Sequence, residues 1–589
     1  MMRGNIILPV VFISALLVAL ALLPPFYVTL FSYIGLSAIV ALGLTLLTGN
    51  AGLISFGQAA FVGLSAYITG YLTTAAELSP WLTLWIAVAL TGVAASLIGA
   101  ITLRLSGHYL PLGTIAWGIS IYYLFGNLQF IGGHTGLTGI PPLSIGGYAL
   151  IDPRWYASII WFVTVLAAFS VNNILNSRTG RGIRMLHGRS DVDRTFGVDI
   201  ARLKIAVFVY AALLAAISGW LYAHMLRFIN PTPFGLNAGI EYLFMVVVGG
   251  AVSIGGAILG PALLTLIKQW LQDALPGMFG HAVNVEIIVY GILMAALLQK
   301  TRSGLWPYLQ RFIKIGGTVT LPQTGSPLPR RFVVEHVVPL LSMRNVTKQF
   351  GGLVSVNDVT FDVSRGEILG VIGPNGAGKS TLFNLISGLL PLTSGEISFC
   401  GSRIDLLPPH QRARRGLART FQHALLHPKM TAIENVAIGA YSRTQAGLIR
   451  SALRLDRAEE RDILFEARAK LEEVGLGAFA LSSAGAMPLG QQRILEIARA
   501  AAADPVLLLL DEPAAGLRRG EKDELAALLR RLSCQGITII LVEHDMQFVM
   551  NLVDRLVVMD FGIVIANGPP AEIRQNAAVI AAYLGTEAA

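Results

Sequence analysis

Ile368-Leu369-Gly370-Val371-Ile372 runs directly into Gly373-Pro374-Asn375-Gly376-Ala377-Gly378-Lys379-Ser380-Thr381. This stretch decides the fold of the C-terminal half. The apolar run has strand length, and the stretch Leu382 to Leu390 after the loop has helical character. Between them the residues fit G-x-x-x-x-G-K-[ST], in the strand–loop–helix setting that the pattern requires. Glycines let backbone N–H groups converge on phosphate oxygens, and the helix start adds a favourable dipole. Lys379 is placed to pair the terminal phosphates, and Ser380 to ligate Mg²⁺.

A second element supports the first. Leu507-Leu508-Leu509-Leu510-Asp511-Glu512 is a buried-strand run that ends in two carboxylates. Asp511 is expected to hold Mg²⁺, directly or through water, and Glu512 to polarise an attacking water, because phosphoryl transfer depends on positioning and charge stabilisation. One such motif alone is often just a strand ending in a solvated acidic turn. The pair together predicts an α/β P-loop NTPase that binds ATP with Mg²⁺.

From about residue 340 to 585 the chain resembles ATP-binding cassette (ABC) ATPases. The resemblance implies that Phe350 stacks on adenine, and that Gln422, in Arg419-Thr420-Phe421-Gln422, contacts Mg²⁺ and the nucleophilic water. It makes Gly490-Gln491-Gln492-Arg493 the core of the signature motif, and His544, in Val542-Glu543-His544-Asp545, the switch histidine near the γ-phosphate. Two positions depart from the pattern. Pro488 stands where the signature usually has serine, and Arg518 where an Asp or Asn is usual. In ABC dimers each phosphate loop faces the other subunit's signature. The expectation is therefore asymmetric, with a strong site built on this chain's Lys379 and Glu512 and a weakened one using its signature.

The first half has a different composition. The 589-residue chain is 54% hydrophobic and only 13% charged, where a soluble protein is about 25% charged. Residues 1–150 carry only Arg3, Glu77 and Arg104 as charged side chains. Apolar runs near 5–24, 27–48, 52–75, 81–103, 109–131, 155–175, 203–226 and 281–299 are long enough for membrane helices, which need roughly 20 residues. The expected architecture is a polytopic α-helical membrane domain of about 8–10 spans, followed by the α/β domain. Residues 1–314 are read as permease, 315–336 as a Pro/Gly-rich linker, and 337–589 as the ATPase, its tail from about 560 included.

Charge sets the orientation. Residues 176–204 carry Arg178, Arg181, Arg184, Arg189, Arg194, Arg202 and Lys204, so by the positive-inside rule this loop is cytoplasmic. Counting back places the N-terminus in the cytoplasm, with the ATPase domain on the same side. The net charge of +9 is accounted for by such loops, and nucleic-acid binding is not expected. Cys400 and Cys534, both in the soluble half, are expected as free thiols in a reducing compartment. The segment 239–272 is too long for one upright span and short for two. Its centre, Gly249-Gly250-Ala251-Val252-Ser253-Ile254-Gly255-Gly256, reads either as a broken or re-entrant helix pair or as glycines allowing close packing.

Over most of 25–300 the membrane half resembles the permease of branched-chain amino-acid (Liv-type) ABC importers. The matching stretches are Gly52 to Phe61, Thr135 to Pro141, and Gly180-Arg181-Gly182-Ile183-Arg184 followed by Phe196-Gly197-Val198-Asp199. The ATPase resembles the Liv-type partner independently, through Asp511 to Leu517 and the tail Ala566 to Gly585. The two halves together resemble a fusion of subunits that are usually separate. The resemblance implies a multi-pass protein of the bacterial inner membrane, served by a periplasmic solute-binding protein. It also implies a second permease and a second ATPase, with a heteromeric partner favoured by the altered signature and a homodimer also satisfying the requirement. Arg181, Gly182, Arg184 and Gly197 mark the candidate coupling loop. Gln58, Gly249 and Gly250 are candidates for the solute path, as are Asn127, Gln129 and His224, although polar residues also bind membrane helices together. Urea, short amides and other small polar solutes are alternative cargoes. A half-exporter would extend long charged helices into the cytoplasm, which this chain lacks, and the apolar half argues against a soluble ABC protein.

Overall fold

The computed structural model describes residues 22–105, 109–187, 194–279, 285–300, 304–313, 321–330, 339–422 and 424–584. The chain divides into two compact units. One comprises Met1–His187, Ala201–Thr320 and Gly447–Leu455, the other Gly188–Ile200, Leu321–Ala446 and Asp456–Ala589. The expected first span at 5–24 lies almost wholly outside the described residues, as do the ends of the expected linker.

In the first unit, α1 (Pro25–Leu44) continues into a π-helical turn, Thr45–Asn50. Next come α2 (Gln58–Thr74), α3 (Pro80–Thr102), α4 (Tyr109–Asn127), α5 (Pro153–Leu175), the short α6 (Arg178–Met185) and α7 (Ile200–Leu226). Among the described residues, five helices are long and apolar enough to cross a membrane: Pro25–Asn50, Pro80–Thr102, Pro153–Leu175, Ile200–Leu226 and Ile254–Ala274. The starts are local chemistry. Pro153 occupies the first turn of α5, where its missing N–H is harmless, and Asp152 caps the helix by accepting from Arg154 N at 2.8 Å.

The segment 239–272 is broken. α8 (Leu236–Gly249) ends at Gly250, whose φ of +126° only glycine adopts readily, and α9 (Ile254–Phe279) begins four residues later. Ser253 Oγ accepts from Gly256 N at 3.1 Å and so starts α9. Close packing is present too. A Cβ on Gly249 would lie 2.0 Å from Gly256 O, and one on Gly260 would lie 1.8 Å from Met245 O. Both readings of the glycines therefore hold: they break the helix, and they let α8 and α9 touch backbone to backbone. Gly249 and Gly250 sit in that contact. α10 (Val285–Lys300) and α11 (Trp306–Ile313) follow.

The second unit holds two sheets. β1 (Leu341–Phe350), β2 (Leu353–Val363), β4 (Ser394–Phe399) and β5 (Ser402–Arg403) form an antiparallel sheet in the order β2-β1-β4-β5. β3 (Ile368–Ile372), β6 (Leu417–Arg419), β7 (Leu507–Asp511), β8 (Thr538–Val542), β9 (Arg555–Asp560) and β10 (Ile563–Gly568) form the main sheet, in the order β6-β7-β8-β3-β9-β10. All its pairings are parallel except β9 with β10. Every residue of β3, β7 and β8 is buried, which is why these strands read as unbroken apolar runs rather than alternating ones.

A helical part completes the unit, with α12 (Lys379–Ser387) on the main sheet, then α13 (Pro409–Arg414), α14 (Ala432–Gly439), α15 (Arg457–Glu473) and α16 (Leu489–Ala502). Residues 321–330, expected to be a linker, are docked on it. Leu328 is buried with residues of α14, α15 and α16, and Leu321 packs against the same cluster. Ser326 N donates to Asp462 Oδ1 at 3.1 Å, and Leu328 N to Glu466 Oε2 at 2.8 Å. Arg443 pairs with Glu466 and also donates to Leu328 O at 2.8 Å. Arg443→Ala removes the cation paired with a nearly buried carboxylate, so it should destabilise this unit by about 3 kcal/mol. Limited proteolysis should then cut within 321–330 several-fold faster than in wild type, and an unchanged cleavage rate would show that the segment is held by other means.

Candidate functional site

The main sheet brings the candidate residues together by topology. The loop 373–378 follows β3, Gln422 follows β6, Glu512 follows β7 and His544 follows β8. These four parallel strands are neighbours in the sheet, so their C-terminal ends share one edge, which is where ligands bind in such sheets.

In the loop, Gly373 and Gly378 are required twice over. Their φ values are +154° and +93°, and a Cβ would lie 2.1 Å from Met559 O and 2.3 Å from Ser355 O respectively. Gly378 starts α12 without any side-chain cap, leaving the first N–H groups available to an anion. The Lys379 ammonium donates to Gly373 O at 2.7 Å and Pro374 O at 2.8 Å. Burial lowers its pKa, while Glu512 and Asp511 pull it upward. Ser380 is exposed, and Thr381 shares a 2.9 Å hydrogen bond with Ser355.

Glu512 is the point of convergence. It has a φ of +49°, a conformation that costs a non-glycine residue on the order of 1 kcal/mol, and Glu512 N donates to Val542 O at 2.9 Å. Gln422 Nε2 donates to Glu512 Oε2 at 3.1 Å, and His544 Nε2 donates to Glu512 Oε1 at 2.8 Å. Those bonds use one acceptor site on each oxygen and leave further acceptor capacity, which a water-orienting group uses. Asp511 is buried, and Arg419 Nη2 donates to its Oδ2 at 3.2 Å. Burial raises the Asp511 carboxyl above its usual range and Arg419 opposes this. One buried carboxylate and the Ser380 hydroxyl match how Mg²⁺ is usually held, by few protein oxygens plus substrate phosphates. Asp511, Ser380 and Gln422 are the residues that would hold it.

The remaining predicted residues lie further apart. Phe350 is 44% exposed at the end of β1, with the Lys348 ammonium 5.0 Å from its ring centroid. Gly490 and Gln491 lie in the first turn of α16, whose cap position is Pro488, with no side-chain cap. Arg518 N donates to Glu521 Oε2 at 2.7 Å. In the first unit Arg181, Gly182 and Arg184 lie on α6, which Ser177 caps from Gly180 N at 3.3 Å. In the second unit Arg414 Nε donates to Gly197 O at 3.3 Å.

Three arginines, two of them inside the quoted motifs but with no role assigned by them, hold this site in place. Arg419 also donates to Asn384 Oδ1 at 2.7 Å and Ser387 Oγ at 2.9 Å, tying β6 to α12. Arg493, two residues beyond Gln491, donates to Phe421 O at 2.9 Å and to Gln422 O. Arg499 donates to Leu425 O at 2.8 Å. The helix that carries the signature therefore grips the backbone around Gln422. The available signal was two arginines six residues apart on the apolar face of α16.

Residues 26–298 match the family described as "Branched-chain amino acid transport system / permease component". Residues 356–515 match "ABC transporter", and 564–589 match "Branched-chain amino acid ATP-binding cassette transporter". Over 250 residues, 42% of this chain, the sequence is 43% identical to the high-affinity branched-chain amino acid transport ATP-binding protein BraF of Pseudomonas aeruginosa, covering 98% of it. It is 42% identical, over the same shares, to the LivG protein of Escherichia coli. A crystal structure of a nucleotide-free ATP-binding cassette from an ABC transporter is similar at 30% identity, with a TM-score of 0.38, over 42% of this chain and 99% of that one.

Two outcomes are expected at this site. Glu512→Gln should lower ATP hydrolysis at least about 100-fold, the scale of losing one transition-state contact, while ATP still binds, as read by equilibrium binding and single-turnover assay. ATP affinity should also weaken as pH rises. A lysine pKa below its ordinary value means that protonation, and with it the attraction to phosphate, is lost earlier in the alkaline range. Lys379→Arg, which stays charged, should show a flatter affinity profile over the alkaline range.

Proposed function

The chain belongs to the branched-chain amino-acid ABC transporters, with permease and ATP-binding cassette in one polypeptide, and on that footing we propose that it imports branched-chain or closely related small amino acids across the bacterial inner membrane. It is a membrane protein whose cassette binds and hydrolyses ATP in support of transport. The observation that carries the substrate reading is that its two halves match the same transport family independently.

The proposed cycle begins with an external solute-binding protein delivering solute to the periplasmic face. Importers of this type work with partner subunits, and one chain supplies one permease and one cassette, so a second of each completes the assembly. ATP held by Lys379 and the loop glycines draws two cassettes together. Mg²⁺, when bound, neutralises charge developing on the phosphates. Gln422 and His544 position Glu512, which orients the attacking water. The basic loop with Arg181, Gly182, Arg184 and Gly197 is the proposed coupling element, and its positive charge supports placing it, with the cassette, in the cytoplasm.

Pro488 brings no hydroxyl and no N–H to the start of α16, where a phosphate of the facing site would dock. The site using this chain's signature is accordingly proposed to be the weaker of the two, and a heteromeric partner cassette supplies the stronger signature. Equal hydrolysis at both sites of the assembled dimer would overturn this.

Uptake of labelled leucine, by cells carrying the chain with its partner subunits and binding protein, tests the whole reading. Leucine import should be present, and abolished by both Lys379→Ala and Glu512→Gln. Mutant-sensitive uptake of urea or a short amide, without leucine uptake, would move the substrate but keep the importer. ATPase activity with no inward transport would overturn the direction.

A further inference from the structure

The start of α2 lies inside the permease. This helix has 17 residues, about 25 Å at 1.5 Å each, which is shorter than the roughly 30 Å of hydrocarbon it would cross. Non-helical backbone at 51–57 leads into it from the π-helical turn after α1. Irregular backbone between apolar helices is tolerated where protein or a water-lined cavity surrounds it, and half-helices starting there can present their positive ends to anionic groups. Gln58, Ala59 and Ala60, the first turn, are 1%, 1% and 3% exposed. No side chain caps the helix, so a buried helix start and its positive dipole lack the acceptor such ends usually have.

Gln58 adds a second, independent anomaly. Neither its Oε1 nor its Nε2 has a hydrogen-bond partner among the described residues. Helical side chains lean toward their own helix's N-terminus, so this amide leans over the uncapped end. A polar residue that merely glued helices together would be bonded to its neighbour. Ser65, further along α2, donates to Ala216 O at 2.6 Å, and Ser218 donates to Leu36 O at 3.0 Å. Gln58 does neither. Beside the same turn is a small, partly open and mostly apolar cavity of about 10 Å³, room for about one water, whose lining includes Gly57, Ala60, Phe61, Thr114, Trp117 and Phe208.

We propose that this is the permease's solute site for an aliphatic α-amino acid. The α-carboxylate meets the start of α2 and the Gln58 amide, and the side chain lies toward the small cavity beside Ala60, which has to widen to admit it. The proposal rests on the importer reading above and specifies what that reading leaves open, namely which atoms recognise the cargo.

The test uses leucine uptake by the complete assembly, with leucinol (which lacks the carboxylate) as competitor, and with assembled complex in the membrane quantified for each variant. Gln58→Leu, which keeps size and removes the amide, should raise the KM for leucine at least about tenfold with little change in maximal rate, and should shrink the preference for leucine over leucinol. Gln58→Glu should be worse, since it sets a carboxylate against a carboxylate. Ala60→Leu blocks that widening without altering Gln58, and should depress leucine uptake far more than alanine uptake. Wild-type KM and wild-type leucine preference in the Gln58 variants would overturn the proposal while leaving the importer intact. If the Gln58 variants do not assemble, an unchanged leucine-to-alanine ratio in Ala60→Leu overturns it instead. No leucine uptake by the wild-type assembly would overturn both readings together.

Discussion

Glu512 accepts hydrogen bonds from Gln422 at 3.1 Å and from His544 at 2.8 Å, and the three residues come from the ends of three adjacent parallel strands. A carboxylate held from two sides in a left-handed backbone conformation cannot drift, and that geometry ties the rest of the cassette to it. If the sheet order were different, Gln422 and His544 would not reach the same group. If β7 were not fully buried, the acidic pair at its end would not be fixed in depth. The apolar runs that make the core are thereby also the ruler that sets the site.

The same logic extends through α16. Its start carries Gly490 and Gln491, the residues expected to face another cassette. Its inner face carries Arg493 and Arg499, which hold the backbone around Gln422 and Leu425. A displacement of this helix is therefore felt at Gln422 through main-chain hydrogen bonds rather than through a side chain, and from Gln422 at Glu512. Arg419 plays the corresponding part on the other side of the site, joining Asp511 to α12.

Much of this was legible in the sequence where chemistry is local. The loop 373–381, the carboxylates after β7 and the histidine after β8 are each contiguous with an apolar strand, so pattern and position arrive together. The break near Gly250 was legible because charges on either side constrained the crossings and because a glycine run marked the weak point. The roles of Arg419, Arg493 and Arg499 were not legible. Their partners are carbonyl, amide and hydroxyl groups and a carboxylate far away in sequence, and an arginine on a helix face looks the same whether it meets water or a loop. The docking of residues 321–330 was hidden for a similar reason. A Pro/Gly-rich composition describes a free tether and a docked strap equally well, and only the burial of Leu328 and the bonds to Asp462 and Glu466 distinguish them.

The strap bears on how the gene for such a fusion can be divided. Leu321 and Leu328 belong to the cassette's helical cluster although they precede its first strand. A separately expressed cassette beginning at β1 would lack two of its own apolar side chains and leave Arg443 without the Leu328 carbonyl it contacts. A soluble, self-sufficient version has to begin ahead of residue 321. Where the cassette begins is thus set by packing rather than by the first residue of the sheet.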